Sequence, residues 1–146
     1  MSTTNMHVSG SEKDKQLLIS IVKDMGESMS GARSTKHWTA EVLWFDIPPF
    51  VSRGIPPAVK MFDHVFSNFQ SYKTSFLHLD VTLNETLGVV CSTQQVDIAF
   101  RSGVNKTVMV RQTDCFRKTN NAWQLFHQHA SLGSGGEWDG KIVTEI

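Results

Sequence analysis

The second half of the chain is the feature that most narrows the choice of fold. Between residues 73 and 132 nearly every segment is rich in β-branched and aromatic side chains, broken at Asn84-Glu85-Thr86, Ser102-Gly103 and Asn120-Asn121. The pattern predicts four strands at about 73–83, 87–101, 104–118 and 122–132, joined by turns so short that neighbours run antiparallel. Strands of this length in a small domain must curl. In the first of them Leu77, Leu79, Val81 and Leu83 alternate with His78, Asp80, Thr82 and Asn84, which predicts one buried face and one wet face.

The last two strands form a hairpin from Val108 to Ser131, with Thr119-Asn120-Asn121 at its turn because Asn tolerates left-handed backbone angles. With a side-chain period of two, Trp123, Leu125, His127, His129 and Ser131 are expected on one face, and Gln124, Phe126, Gln128 and Ala130 on the other. Met109, Arg111, Thr113 and Cys115 make the matching row on the facing strand. A face that is apolar near the turn and ionisable toward His129 has the character of a cavity floor.

The first half is helical in pattern. Ser11 followed by Glu12 and Asp14 reads as a capped helix start, and Leu17, Leu18, Ile21, Val22 and Met25 recur at helical spacing until Gly26 and Gly31. Gly31 to His37 reads as a loop, and Glu41 to Phe45 as a short strand stopped by Pro48-Pro49. After a loop over Phe50 to Ile55, Pro57 suits the first position of a helix whose Ala58, Met61, Phe62, Val65, Phe66 and Phe69 form a broad apolar face. Helices early and strands late predict an α+β fold with the helices packed in the hollow of a curved sheet.

At 146 residues the chain is the size of one domain, read as an arm at 1–10, a domain at 11–135 and a tail at 136–146. Its 14 Lys and Arg balance 14 Asp and Glu, so nothing in the charge favours nucleic acid or an anionic membrane as partner. Without an apolar leader or a long apolar run the chain is expected to be cytoplasmic, with Cys91 and Cys115 as buried thiols in strands. Trp138 in the tail carries no expected role.

Several side chains carry candidate chemistry. His127 and His129 have the spacing of two metal ligands, but no third position is fixed, and hydrogen-bonded pocket histidines are the preferred reading, so no metal is expected. Asp46, beside Trp44 and Phe45 at a strand end, is the carboxylate whose burial would suit proton transfer; the alternative is an Asp that starts a turn. Arg111 is read either as a holder of oxygen charge or as an ion-pair partner of Asp46 or Asp114. Trp38, Trp44, Phe50, Phe62, Phe66 and Tyr72 are candidate walls of an apolar pocket, with Thr113 and His129 as its polar contacts; aromatic stripes of this kind also serve as plain core.

The run Arg111-x-Thr113, the pair Arg117-Lys118, the polar turn and Trp123-x-Leu125-x-His127-x-His129-x-Ser131 resemble the closing hairpin of SnoaL-like proteins, in the superfamily of nuclear transport factor 2 and ketosteroid isomerase. The W-F-D strand, Gly-Pro loop and aromatic helix between Trp38 and Phe69 resemble that pattern too. The resemblance implies a cone-shaped antiparallel sheet wrapped around the N-terminal helices with an internal cavity. It also implies a cofactor-independent isomerase, cyclase, lyase or hydrolase acting on an apolar metabolite, with Asp46, His127 and Arg111 as catalytic residues. The ketosteroid isomerase tyrosine on the first helix has no counterpart, since the one tyrosine is Tyr72. Of the Asp-Arg-Asp set of related epoxide hydrolases, Asp46 and Arg111 match loosely.

The alternative is a non-catalytic oligomerisation or ligand-binding module resembling the association domain of calcium/calmodulin-dependent kinase II, whose hairpin is similar. A pocket reaching Asp46 and the histidines favours the first reading, a filled interior the second. A homodimer is expected on the sheet face opposite the helices, through Phe116, Phe126 and Ile98.

Overall fold

The structure, a computed structural model, describes residues 11–47 and 51–132. The expected arm, the tail and Phe50 lie outside the described residues.

Ser11 caps the first helix, its hydroxyl accepting from the Asp14 amide, and α1 runs Glu12–Gly26 with Leu18, Ile21 and Val22 buried. The stretch expected to be a loop contains a single turn of helix, α2 at Gly31–Ser34, capped by Ser30. The next strand, β1, spans Trp38–Phe45, and β2, Val51–Arg53, pairs with it where only a loop was expected. Helix α3 covers Ile55–Ser67 and starts two residues before Pro57, because Gly54 at φ 88° turns the chain and both prolines fit the first turn, where no amide donor is required.

The four long strands are present as β3 (Phe69–Leu83), β4 (Leu87–Phe100), β5 (Asn105–Thr119) and β6 (Ala122–Leu132). Asn120 and Asn121 both take positive φ, at 52° and 61°, as a two-residue turn matching the strand twist requires. The strands form one curved, unclosed six-stranded sheet in the order β2-β1-β6-β5-β4-β3, antiparallel except where β1 runs parallel to β6. The architecture is the expected α+β one.

Leu18, Ile21 and Val22 of α1 and Ala58 of α3 meet Val42, Trp44, Leu83, Val90, Phe116, Trp123 and Leu125 in a single core on the concave side. Burying each such large side chain contributes roughly 1.5–3 kcal/mol. The close fit has a local requirement at Gly88, where an added Cβ would lie 2.6 Å from Leu18 Cδ1. Polar contacts fix the same helix from outside the core: Asp14 accepts from Trp123 Nε1 (2.9 Å) and from Lys118 Nζ, tying the start of α1 to the hairpin.

One irregularity decides which side chains face inward. Cys115 pairs with His127 but Phe116 pairs with Leu125, so Phe126 is an extra residue in β6. A bulge of this kind resets the alternation of the strand. Trp123 and Leu125 are buried before it, Gln128 and Ala130 are buried after it, and His127 and His129 turn to the convex side. The expected common face of Trp123, Leu125, His127 and His129 is thereby corrected. On β5 the inward row is Val108, Val110, Gln112, Asp114 and Phe116, so Arg111, Thr113 and Cys115 face outward.

Candidate functional site

The concave side holds a pocket of about 320 Å³ between α1, α3 and the sheet. Its helical wall includes Val22, Met25, Phe62, Val65 and Phe66, and its floor includes Val96, Ile98, Val108 and Val110. The aromatic rings form a continuous wall: Trp44 stacks on Phe62 with centroids 4.7 Å apart, Phe62 on Phe66 at 5.8 Å, and Phe66 on Tyr72 at 5.7 Å. Of the expected wall residues, Trp38, Phe62, Phe66 and Tyr72 line the pocket, whereas Trp44 is sealed in the core behind Phe62.

Asp46 follows β1 directly and lines this pocket. Its carboxylate accepts from the Ile47 amide at 2.7 Å, and burial raises its pKa against the lowering effect of that hydrogen bond. Proton exchange at a pocket carboxyl is easier when its pKa moves toward neutrality.

The polar part of the floor was not foreseen. Gln94, Gln112 and Gln128 line the pocket from three adjacent strands, and the carboxyl of Asp114 lies fully buried between the last two. Gln112 Nε2 donates to both Asp114 oxygens, at 3.1 and 2.9 Å, and Gln128 Nε2 donates to Oδ1 at 2.7 Å. Desolvation pushes the Asp114 pKa up to about 6, and the two amide donors limit the rise. Gln94 Nε2 donates to Ser92 Oγ at 2.9 Å, extending the strip onto β4. The signal in the sequence was the spacing Ser92-x-Gln94 and Gln112-x-Asp114 in phase with Val90 and Val110, polar residues in an otherwise buried row.

The other expected site residues gather on the convex side. Arg111, Thr113 and His129 line a shallow groove of about 250 Å³ with His78, Cys91, Thr93 and Ser131. His127 lies on the same side, where its Nδ1 is 2.8 Å from Leu43 O and its ring meets Phe45 edge-on, so it joins β1 to β6. Asp46 is therefore separated by the sheet from His127, His129, Arg111 and Thr113, and neither Asp46 nor Asp114 pairs with Arg111. Cys91 is exposed and Cys115 partly buried, because both belong to outward rows; the expectation of two buried thiols is corrected. Among the described residues no group of three or more His, Cys, Asp or Glu side chains could hold a metal ion, and no helix is long and apolar enough to cross a membrane.

A sequence profile of the SnoaL-like domain matches residues 23–134. The chain belongs to the SnoaL-like family. Among curated proteins nothing matches its sequence. Solved structures place the SnoaL-like chain within the nuclear transport factor 2-like fold, as its hairpin implied. A superfamily protein from Salmonella enterica serovar Typhimurium is similar with a TM-score of 0.78 at 13% identity, over 91% of this chain and 100% of that one. A candidate dehydratase of the family from Streptomyces avermitilis gives 0.75 at 16%, over 86% and 100%. A candidate scytalone dehydratase from Novosphingobium aromaticivorans gives 0.76 at 10%, over 92% and 93%. At these identities the likeness establishes the fold.

Proposed function

We propose that this SnoaL-like protein binds a small, largely apolar metabolite in the concave pocket and moves a proton on it without metal or organic cofactor, with Asp46 as the proton-carrying group. The observation that carries the reading is Asp46 itself, a partly desolvated carboxyl whose pKa is raised and which opens into an aromatic-lined pocket of about 320 Å³. The names of similar structures, two of them candidate dehydratases, agree with acid–base chemistry on a small molecule. His127 and Arg111, across the sheet from Asp46, are assigned here to joining strands and to the convex surface instead of to catalysis.

The test has two steps. A thermal-shift screen against polyketide-like, steroid and terpenoid compounds identifies ligands, and turnover of those ligands is then compared for wild type and Asp46→Asn. Turnover should fall by at least about 10²-fold in the variant, in the range that one acid–base group contributes, with the melting temperature within a few degrees. Asp46→Asn that keeps full turnover would remove Asp46 from the mechanism.

A second element of the proposal is a homodimer through the convex sheet face. It is supported by the exposure of Leu87, Val89 and Met109 on the outward rows of β4 and β5.

A further inference from the structure

The polar atoms around the pocket can be sorted by what they already bind. The Tyr72 hydroxyl donates to Ser28 O, Thr74 Oγ1 to Gly26 O (2.8 Å), Ser34 Oγ to Ser28 Oγ (2.9 Å) and Trp38 Nε1 to Met25 Sδ (3.4 Å). The amide nitrogens of Gln94, Gln112 and Gln128 are turned to Ser92 and Asp114. Among the described residues no donor reaches the Oε1 atoms of these three glutamines, and none of the three is a sealed orphan. Among the described residues the pocket is thus left with unsatisfied acceptors, the three amide oxygens and Asp46 Oδ2. Among the described residues the side-chain donors left over are one N–H on each of Gln94, Gln112 and Gln128, since both Asp114 oxygens share a single N–H of Gln112.

The orientation of Gln112 and Gln128 follows from chemistry. An ionised carboxylate only accepts, so each amide touching Asp114 must give it an N–H and turn its oxygen away. Among the described residues no Lys, Arg or His lines the pocket. An anionic ligand would meet Asp46 and the buried Asp114 with no cationic side chain among the described lining residues to compensate its charge. We infer that the pocket selects a compact apolar ligand bearing hydroxyl or N–H donors toward Gln94, Gln112 and Gln128, and rejects carboxylates, phosphates and sulfates. This rests on the pocket being the ligand site, and it adds the chemical class of the ligand.

Calorimetric titration near neutral pH with three probes of one shape tests it: a naphthalenediol, its dimethyl ether and a naphthoate. The diol should bind wild type about tenfold or more tightly than the ether, as expected for donors meeting otherwise unpaired acceptors, and the naphthoate should give no heat. Gln112→Leu should erase most of the preference for the diol while leaving ether affinity within about twofold. Because Gln112 also supports Asp114, Gln94→Met, which loses only the contact with Ser92, serves as the variant that keeps its fold and should narrow the preference in the same direction. Equal affinity for diol and ether, binding of the naphthoate, or an unchanged preference in Gln94→Met overturns the inference while the pocket reading stands. No heat from any probe overturns both.

Discussion

Asp114 is where a single residue most affects the behaviour of the whole. Its carboxyl is fully buried, and its pKa is pushed to about 6 from 3.8, burial being the larger cause and the two glutamine amides acting against it. The sign of the consequence follows from proton counting. Between those two values the folded protein holds a proton on Asp114 that the unfolded chain has released, so stability falls as pH rises through the window and levels off above it. At about 1.4 kcal/mol per unit the effect is on the order of 3 kcal/mol at most. Asp46, also raised by burial, adds to the same slope. Asp14, lowered chiefly by its hydrogen bond from Trp123, acts in the opposite sense, with stability lost as pH falls through its depressed pKa, below the Asp114 window. Urea midpoints at the two ends of the Asp114 window should therefore differ for wild type, lower at the upper end, and Asp114→Asn should flatten most of that difference. A wild-type midpoint that does not move between the two ends would show that Asp114 ionises as an ordinary carboxyl.

At the scale of elements the bulge at Phe126 separates the pocket chemistry from the convex surface. Removing the extra residue would leave Trp123, Leu125, Gln128 and Ala130 on every second position, so a regular strand would bury all four and keep Cys115 opposite His127; the bulge is what lets β6 do the same with Phe126 present. Deletion of Phe126 should therefore be tolerated, at a cost of no more than about 1–2 kcal/mol and close to that of Phe126→Ala, which keeps the bulge and loses only the ring. Chemical denaturation of the two variants checks this, and a deletion far more costly than Phe126→Ala would mean that the local bend of the bulge is itself required by the fold. The same bulge explains what the sequence could tell. The strands of the meander, the Asn turn and the Ser11 cap were legible because each has its own local signal in hydrophobic period or turn chemistry. The inward faces of β5 and β6 were not, because Leu125-Phe126-His127 carries no glycine or other mark of an inserted residue, and extending the Trp123 and Leu125 period put the histidines inside. Gln94, Gln112 and Gln128 were passed over because an amide has no catalytic signature until its partners are known. Asp46 was legible because its aromatic neighbours and the following prolines lie beside it in the chain.

For the whole molecule, a sheet covered by helices on one side leaves the other to solvent or to a partner. Of the three residues expected to form that contact, Phe116 lies in the core and Ile98 lines the pocket, both drawn inward by the true phase of β5 and β4. The convex face instead presents Leu87, Val89 and Met109, 51%, 37% and 41% exposed, among Thr93, Thr113, Arg111 and His129. Apolar side chains interspersed with hydrogen-bonding groups suit an isologous contact, in which each patch meets its own copy across a two-fold axis. Val89 lies opposite Cys115 and Met109 opposite Gln95, so both stand on the middle of the sheet and not at its edges. Neither belongs to the core, and a charge at either site should leave the fold intact. Wild type should sediment as a dimer at micromolar concentration, and Val89→Glu and Met109→Glu should sediment as folded monomers whose pocket still binds the ligands of wild type. A monomeric wild type would end the homodimer proposal, and dimeric glutamate variants would move the contact away from this face.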